Sequence, residues 1–177
     1  MLITILIVLL ALVVLFVVIV LLQPGDFRLE RSTQIFAPAA TVYANVNDFH
    51  RWDLWSPWIG MDPNLEQTYE GAPSGVGAAY SWSGKKTGAG RMTIVESKPH
   101  QLVKIRLEFL KPFKATNTAE FTFMPVGNHT VVTWAMYGPK NFLAKFIHML
   151  CSMDTMVGPM FDKGLLKLKR LSEGTAG

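Results

Sequence analysis

The chain has 177 residues, a formal net charge of +4, one cysteine and a 50% hydrophobic composition. That length gives one ordinary domain plus an appendage. A lone Cys151 excludes an intramolecular disulfide, and basic residues scattered without a nucleic-acid-binding motif argue against nucleic acid as a partner.

The appendage comes first. Residues 1–25 carry no charge, and Leu2 to Leu22 are apolar except for Thr4. As a helix this run is roughly 31 Å long, about the thickness of a bilayer's hydrocarbon core. It therefore predicts a transmembrane anchor over residues 1–23, with membrane contact through residues 2–22. A cleaved signal peptide would need a basic start, a shorter apolar run and a small-residue cleavage site, whereas this run ends in "LLQPGDFR". No Lys or Arg precedes the run while Arg28 and Arg31 follow it, so the positive-inside rule predicts a single-pass protein with its soluble domain in the cytoplasm.

Residues 24–26 read as a short linker, since Pro24 lacks an amide donor and Gly25 suits a turn. "FRLERSTQIF", from Phe27 to Phe36, predicts a first strand with Phe27, Leu29 and Ile35 on one side and some irregularity in the middle. "APAATVYANVND" then predicts a short helix, with Pro38 near its first turn and Val42, Val46 and Phe49 at helical spacing. A second short helix is expected around "DFHRWDLWSPW", with Asp48 capping its start and Arg51 and Asp53 facing solvent. From Leu65 onward the segments "LEQTYE", "GAAYSWSG", "GAGRMTIVES", "QLVKIRLEFL", "KATNTAEFTFMP" and "HTVVTWAMYG" predict strands, the last five separated by short turns that imply antiparallel neighbours.

Alternation gives these strands two faces. Val103, Ile105, Leu107 and Phe109 share one, opposite Lys104, Arg106 and Glu108. Phe113, Ala115, Asn117, Ala119, Phe121 and Phe123 share a face in the next strand, and Val132, Trp134 and Met136 in the last. Glu96 is expected on the face of Met92 and Ile94. The C-terminal region has helical stripes, Phe142, Phe146, Met149 and Met153, then Val157, Phe161, Leu165, Leu168 and Leu171; Pro159 predicts two helical pieces. Residues 173–177 are expected to form a flexible tail.

Catalytic and metal signatures are missing. The four histidines stand apart, and no paired-cysteine or His-x-Glu spacing suggests zinc, so no metal, no cofactor and no catalytic residue is assigned. "GAPSG" has the wrong spacing for a nucleophile elbow, and "GVGAAY" lacks the third glycine of a dinucleotide fingerprint. The tryptophan stretch permits three readings: packing or a cavity lid, contact with the membrane, or catalysis through Asp48, His50 and Asp53.

The order of elements, together with "IFAPAATVYANVNDFHRWDLWSPW", "GVGAAYSWSG" and "NTAEFTFMPVGNHTVVTWAMYG", resembles the polyketide cyclase/dehydrase and lipid-transport family of the START-related helix-grip (SRPBCC) superfamily. The resemblance covers about Phe27 to Leu171. It implies an α+β helix-grip domain over residues 27–172: a curved seven-stranded antiparallel sheet wrapped around a long terminal helix, with a hydrophobic cavity between them. A sheet with one apolar face and a helix with one apolar stripe must indeed bury them together. The expected ligand is a hydrophobic small molecule or lipid. Trp82, Met92, Ile94, Phe121, Trp134 and Met136 are expected to line the cavity, Trp52 and Trp55 to cover one end, and Asn117 to orient a polar head. The alternatives are a cyclase-type enzyme using the same cavity, or a regulatory or assembly partner with a vestigial one; no particular protein partner is implied.

Overall fold

In a computed structural model, residues 1–174 are described. Helix α1 (Leu2–Leu21) is uninterrupted, and every residue in it except Val20 is exposed. It is long and apolar enough to cross a membrane.

Strand β1 (Asp26–Ile35) is followed by α2 (Ala39–Asn47) and a 3-10 helix (Phe49–Leu54). The remaining strands are β2 (Glu66–Gly71), β3 (Ala78–Gly84), β4 (Gly88–Lys98), β5 (Leu102–Lys111), β6 (Ala115–Val126) and β7 (His129–Pro139). They form one antiparallel sheet in the order β1-β7-β6-β5-β4-β3-β2. Five consecutive hairpins account for β2 to β7, and β1 closes the other edge by pairing with β7 from Asp26↔Pro139 to Ile35↔Thr130. Helices α3 (Phe142–Leu150) and α4 (Met153–Ser172) end the chain, with α4 lying along the inner face.

Inner-face side chains and the apolar stripe of α4 make one core. Phe161, Leu165 and Leu168 of α4 are buried against Ile35, Phe121, Val132 and Trp134, as the two periodicities require. Two glycines let α4 come close. A Cβ on Gly164 would lie 2.8 Å from the Trp134 ring, and one on Gly158 would lie 2.6 Å from Nη2 of Arg31.

Four details depart from the alternation read off the sequence. A register shift between Ile94 and Glu96 bulges β4, so the carboxylate faces outward and pairs with Lys98 (2.9 Å) and Lys104 (3.2 Å) instead of sharing the face of Met92 and Ile94. Ser97 turns inward in its place and bonds Tyr43 and Asn47. Phe113 is exposed, because β5 has ended and the chain is reversing through Pro112 before β6 begins at Ala115. β1 pairs regularly throughout; its polar middle arises because Arg31 faces α4, where Asp154 and Asp162 receive its guanidinium. Finally, the two C-terminal helices separate at Cys151, with Ser152 Oγ accepting from Thr155 N, so Pro159 lies inside α4. Its missing N–H costs a single bond near the helix start.

At the C-terminus, Glu173 accepts a 2.7 Å bond from the Phe36 amide and pairs with Lys169, within the span expected as a tail. Residues 175–177 of that span lie outside the described residues.

Candidate functional site

The interior has a closed half and a more open half. The closed half is aromatic. Trp134 on β7 is stacked between Phe161 of α4 (4.0 Å between centroids, 12° between planes) and Phe121 of β6 (4.9 Å, 23°). Trp55 meets Phe121 and Trp134 edge-on at 5.9 and 5.8 Å, and Trp58 meets Trp134 at 5.5 Å. Offset-stacked and edge-to-face contacts of this kind add about 0.5–1.5 kcal/mol per pair beyond area burial.

The tryptophan stretch is thus part of the core. Trp52 and Trp55 are both buried, and their indole N–H groups donate to Val46 O (2.9 Å) and Asn45 O (3.0 Å). These are carbonyls in the last turn of α2, which has no following turn to satisfy them. The two indoles cap one helix while filling the space under α4. Asp48 accepts from His50 N as expected, and Arg51 and Asp53 are exposed.

Of the residues expected to line a cavity, Trp52, Trp55, Phe121 and Trp134 come together in this ring cluster. Ile94 and Met136 are buried in the adjoining layer, where Leu29↔Met136, Ala119↔Met136 and Ile94↔Ile105 are cross-strand pairs. Trp82, Met92 and Asn117 lie apart from the cluster, at the end of the sheet where β1 begins. There Met92 pairs with Leu107 and Tyr80, and Asn117 pairs with Leu107.

At this end the interior is less completely covered. Phe27, Trp82, Met92 and Phe109 are only partly buried, in contrast to the fully buried Val103, Ile105 and Phe121 deeper in. Close packing is built into the same end, with glycine where neighbouring side chains leave no room for a Cβ. Gly138 has no side chain where a Cβ would lie 2.4 Å from Asn117 Oδ1, and Gly90 lies under the Trp82 ring, where a Cβ would come within 2.3 Å. Phe109 and Leu107 share the alternation of the expected lining residues, but only the sheet register shows that they flank Met92 and Asn117. Phe161 and Trp58 were likewise visible as aromatics, without any signal that they face Trp134.

Two interior polar groups stand out. The Trp134 Nε1–H is buried and has no hydrogen-bond partner among the described residues. Asn117 is 8% exposed on an otherwise apolar face. An unsatisfied buried donor costs about 1–3 kcal/mol, so an acceptor brought to Trp134 would recover that amount.

A separate surface cleft of about 280 Å³ lies between the 3-10 helix and β2, lined by residues that include Phe49, His50, Tyr69 and Glu70. His50 stacks on Tyr69 (4.3 Å) and its Nδ1 lies 2.9 Å from Asp48 Oδ1. Burial, reinforced by Asp53, pushes the Tyr69 phenol up to about 12. Among the described residues no cluster of His, Cys, Asp and Glu could hold a metal ion.

A seven-stranded antiparallel sheet gripping a terminal helix, with two short helices after the first strand, defines the α+β helix-grip class. The chain belongs to the polyketide cyclase / dehydrase and lipid transport family, whose sequence model matches residues 26–173. A search of curated proteins found no match. Among solved structures, a Thermobifida fusca protein is similar at 19% identity with a TM-score of 0.61, covering 84% of this chain and 94% of that one. Truncated norcoclaurine synthase from Thalictrum flavum is similar at 12% identity and 0.60, covering 82% and 92%. The Aha1 dimer from Colwellia psychrerythraea is similar at 16% and 0.56, covering 85% and 99%. At these identities the likeness is one of fold.

Proposed function

We propose that this protein is a membrane-anchored binding protein or carrier for a hydrophobic small molecule or lipid, held between the sheet and α4. Residues 2–22 hold it in the bilayer with the domain on the cytoplasmic side. The apolar body of the ligand lies against Trp82, Met92, Ile94 and Met136, at the partly covered end, with Phe121 and Trp134 as the floor. Trp52 and Trp55 brace that floor from behind. Asn117 meets the ligand's polar head.

The observation that carries this reading is the buried, unpartnered Trp134 N–H, a donor in an apolar surround with Asn117 on the same sheet face. Family membership supports a hydrophobic ligand. Binding is favoured over cyclase-type proton transfer by the polar groups nearest the partly covered end. Asn117 does not titrate, and burial raises the Tyr80 phenol above its usual range, so neither is a base at neutral pH.

Apolar extraction and mass spectrometry of detergent-purified protein tests the proposal. A co-purifying lipid or isoprenoid-like compound is expected, and its retention should fall about fivefold to a hundredfold in Trp134→Phe, which keeps a ring in the stack but removes the donor. A folded wild-type protein that carries nothing and takes up no lipid from vesicles would sink the reading.

A further inference from the structure

Helix α3 has no buried residue, yet it is strongly amphipathic. Phe142, Leu143, Met149 and Leu150 are exposed, with Leu150 at 70%. Lys145 is its one Lys or Arg, and its Nζ bonds Leu21 O at the end of α1. Phe146 meets Phe16 of α1 edge-on at 5.6 Å, and His148 meets Phe27 at the start of β1. α3 is therefore fastened beside the last turns of the apolar helix, with its remaining apolar face turned away from protein.

The sheet brings further groups to this end. The end of β5 and the turn into β6 carry exposed Leu110 and Phe113, the latter at 63%, together with Lys111 and Lys114. The β3–β4 turn adds Lys85 and Lys86, and Gly88 next to it packs against the Lys111 backbone. Lys140 bonds Gly25 O through its amide, which fixes it beside the linker. None of these five lysines, nor Lys145, is in an ion pair among the described residues; Lys98, Lys104 and Lys169 on other faces are, while Lys163 and Lys167 of α4 are not. Asp26 and Glu66 are the exposed acids at these strand ends, and Asp62 is occupied by the amides of Asn64 and Lys86.

We propose that this end of the domain is a docking surface for an anionic bilayer: α3 and the Phe113 turn enter the interfacial region, and the lysines meet the headgroups. Apolar side chains rimmed by unpaired lysines are the chemistry of an interfacial helix, and continuity with α1 identifies the bilayer as the occupant. The partly covered end of the interior then opens against lipid, so a ligand could pass between membrane and domain without crossing water. The inference rests on α1 being a membrane span.

Cys151, exposed at the α3–α4 joint and the sole cysteine, provides the probe. The full chain, spin-labelled at Cys151, is placed in nanodiscs of phosphatidylcholine with and without phosphatidylserine, and collision rates with oxygen and with a water-soluble nickel chelate are compared. A Cys151→Ser, Ser74→Cys variant reports the opposite end of the sheet. With phosphatidylserine, position 151 should favour oxygen while position 74 favours nickel. Each lysine withdrawn, as in Lys111→Gln and Lys114→Gln, should weaken the docked state about fivefold. Equal nickel access at 151 and 74 would overturn the proposal. So would shielding of 151 from both reagents, which would mean that protein covers α3. Extraction by alkaline carbonate would instead show that the α1 reading has failed, separating that outcome from failure of docking in a chain that stays embedded.

Discussion

Gly158 and Gly164 of α4 permit the same substitution in one helix with different expected results. Replacing a helical glycine by alanine gains about 1 kcal/mol of intrinsic propensity at either site. At Gly158 the new methyl would lie 2.6 Å from the far end of the Arg31 side chain. That guanidinium can swing aside, weakening partly exposed ion pairs worth about 0–1 kcal/mol, so Gly158→Ala should be neutral to about 1 kcal/mol stabilising. At Gly164 the methyl would lie 2.8 Å from the Trp134 ring and 3.0 Å from Pro57 Cδ. Trp134 is held on both sides by Phe161 and Phe121 and cannot retreat. Overpacking of this kind costs about 1–3 kcal/mol, leaving Gly164→Ala neutral to about 2 kcal/mol destabilising. Gly158→Ala should therefore be the more stable variant, by up to about 3 kcal/mol and by about 1.5 kcal/mol at mid-range, or about 3–6 °C in Tm for a domain of this size. Thermal unfolding in one detergent, followed by tryptophan near-ultraviolet circular dichroism, measures the gap. Gly164→Ala as the more stable variant would refute the claim that Trp134 is immobile.

Trp55→Ala should cost about 3–5 kcal/mol in denaturant unfolding, and Trp55→Phe, which keeps a ring but strips Asn45 O of its donor, about 1–3; a loss below about 1 kcal/mol for the alanine variant would count against its place in the core. Asp62 accepts the amides of Lys86 (2.8 Å) and Asn64 (3.1 Å), and these bonds hold its carboxyl below the usual range, the Lys86 bond most strongly. Its contribution to stability is thus complete above the unfolded-state value of about 3.9 and is lost as pH falls through the lower folded value. Asp62→Asn should flatten the fall in stability below about pH 4, leaving the parts due to Glu96 and Glu173, also held low by their partners; an unchanged slope would discard the assignment. A reporter fused after Gly177 should be active only in its cytoplasmic form, and activity of an export-dependent reporter there would reverse the orientation.

Most of the architecture was legible because it rests on local chemistry. Turn residues marked the hairpins, alternation marked the faces, and the α4 stripe from Phe161 to Leu168 marked the helix that is gripped. What was not legible depended on a single extra residue or on distant pairing. The bulge at Val95 reverses the face of Glu96, and alternation carries no trace of it. Arg31 disguised a regular strand, since only the fold brings Gly158, Asp154 and Asp162 to it. Trp52, Trp55 and Trp58 recur every third position, a spacing compatible with lid, membrane or core; the α2 carbonyls that take up two of their N–H groups decide for the core. The α3 stripe was visible as apolar, without any signal that Phe146 meets Phe16 of α1.

The linker between α1 and β1 is short and fastened on both sides, by Lys145 to Leu21 O before it and by Lys140 to Gly25 O after it. Four residues, Leu22 to Gly25, can extend to about 14 Å at most, and these clasps shorten even that leash. With α1 in a bilayer, the domain cannot ferry cargo across an aqueous gap to a second membrane. On the proposed carrier reading its territory would be two-dimensional: it would meet donors and acceptors by lateral diffusion, and any soluble partner would have to come to the membrane to collect from it.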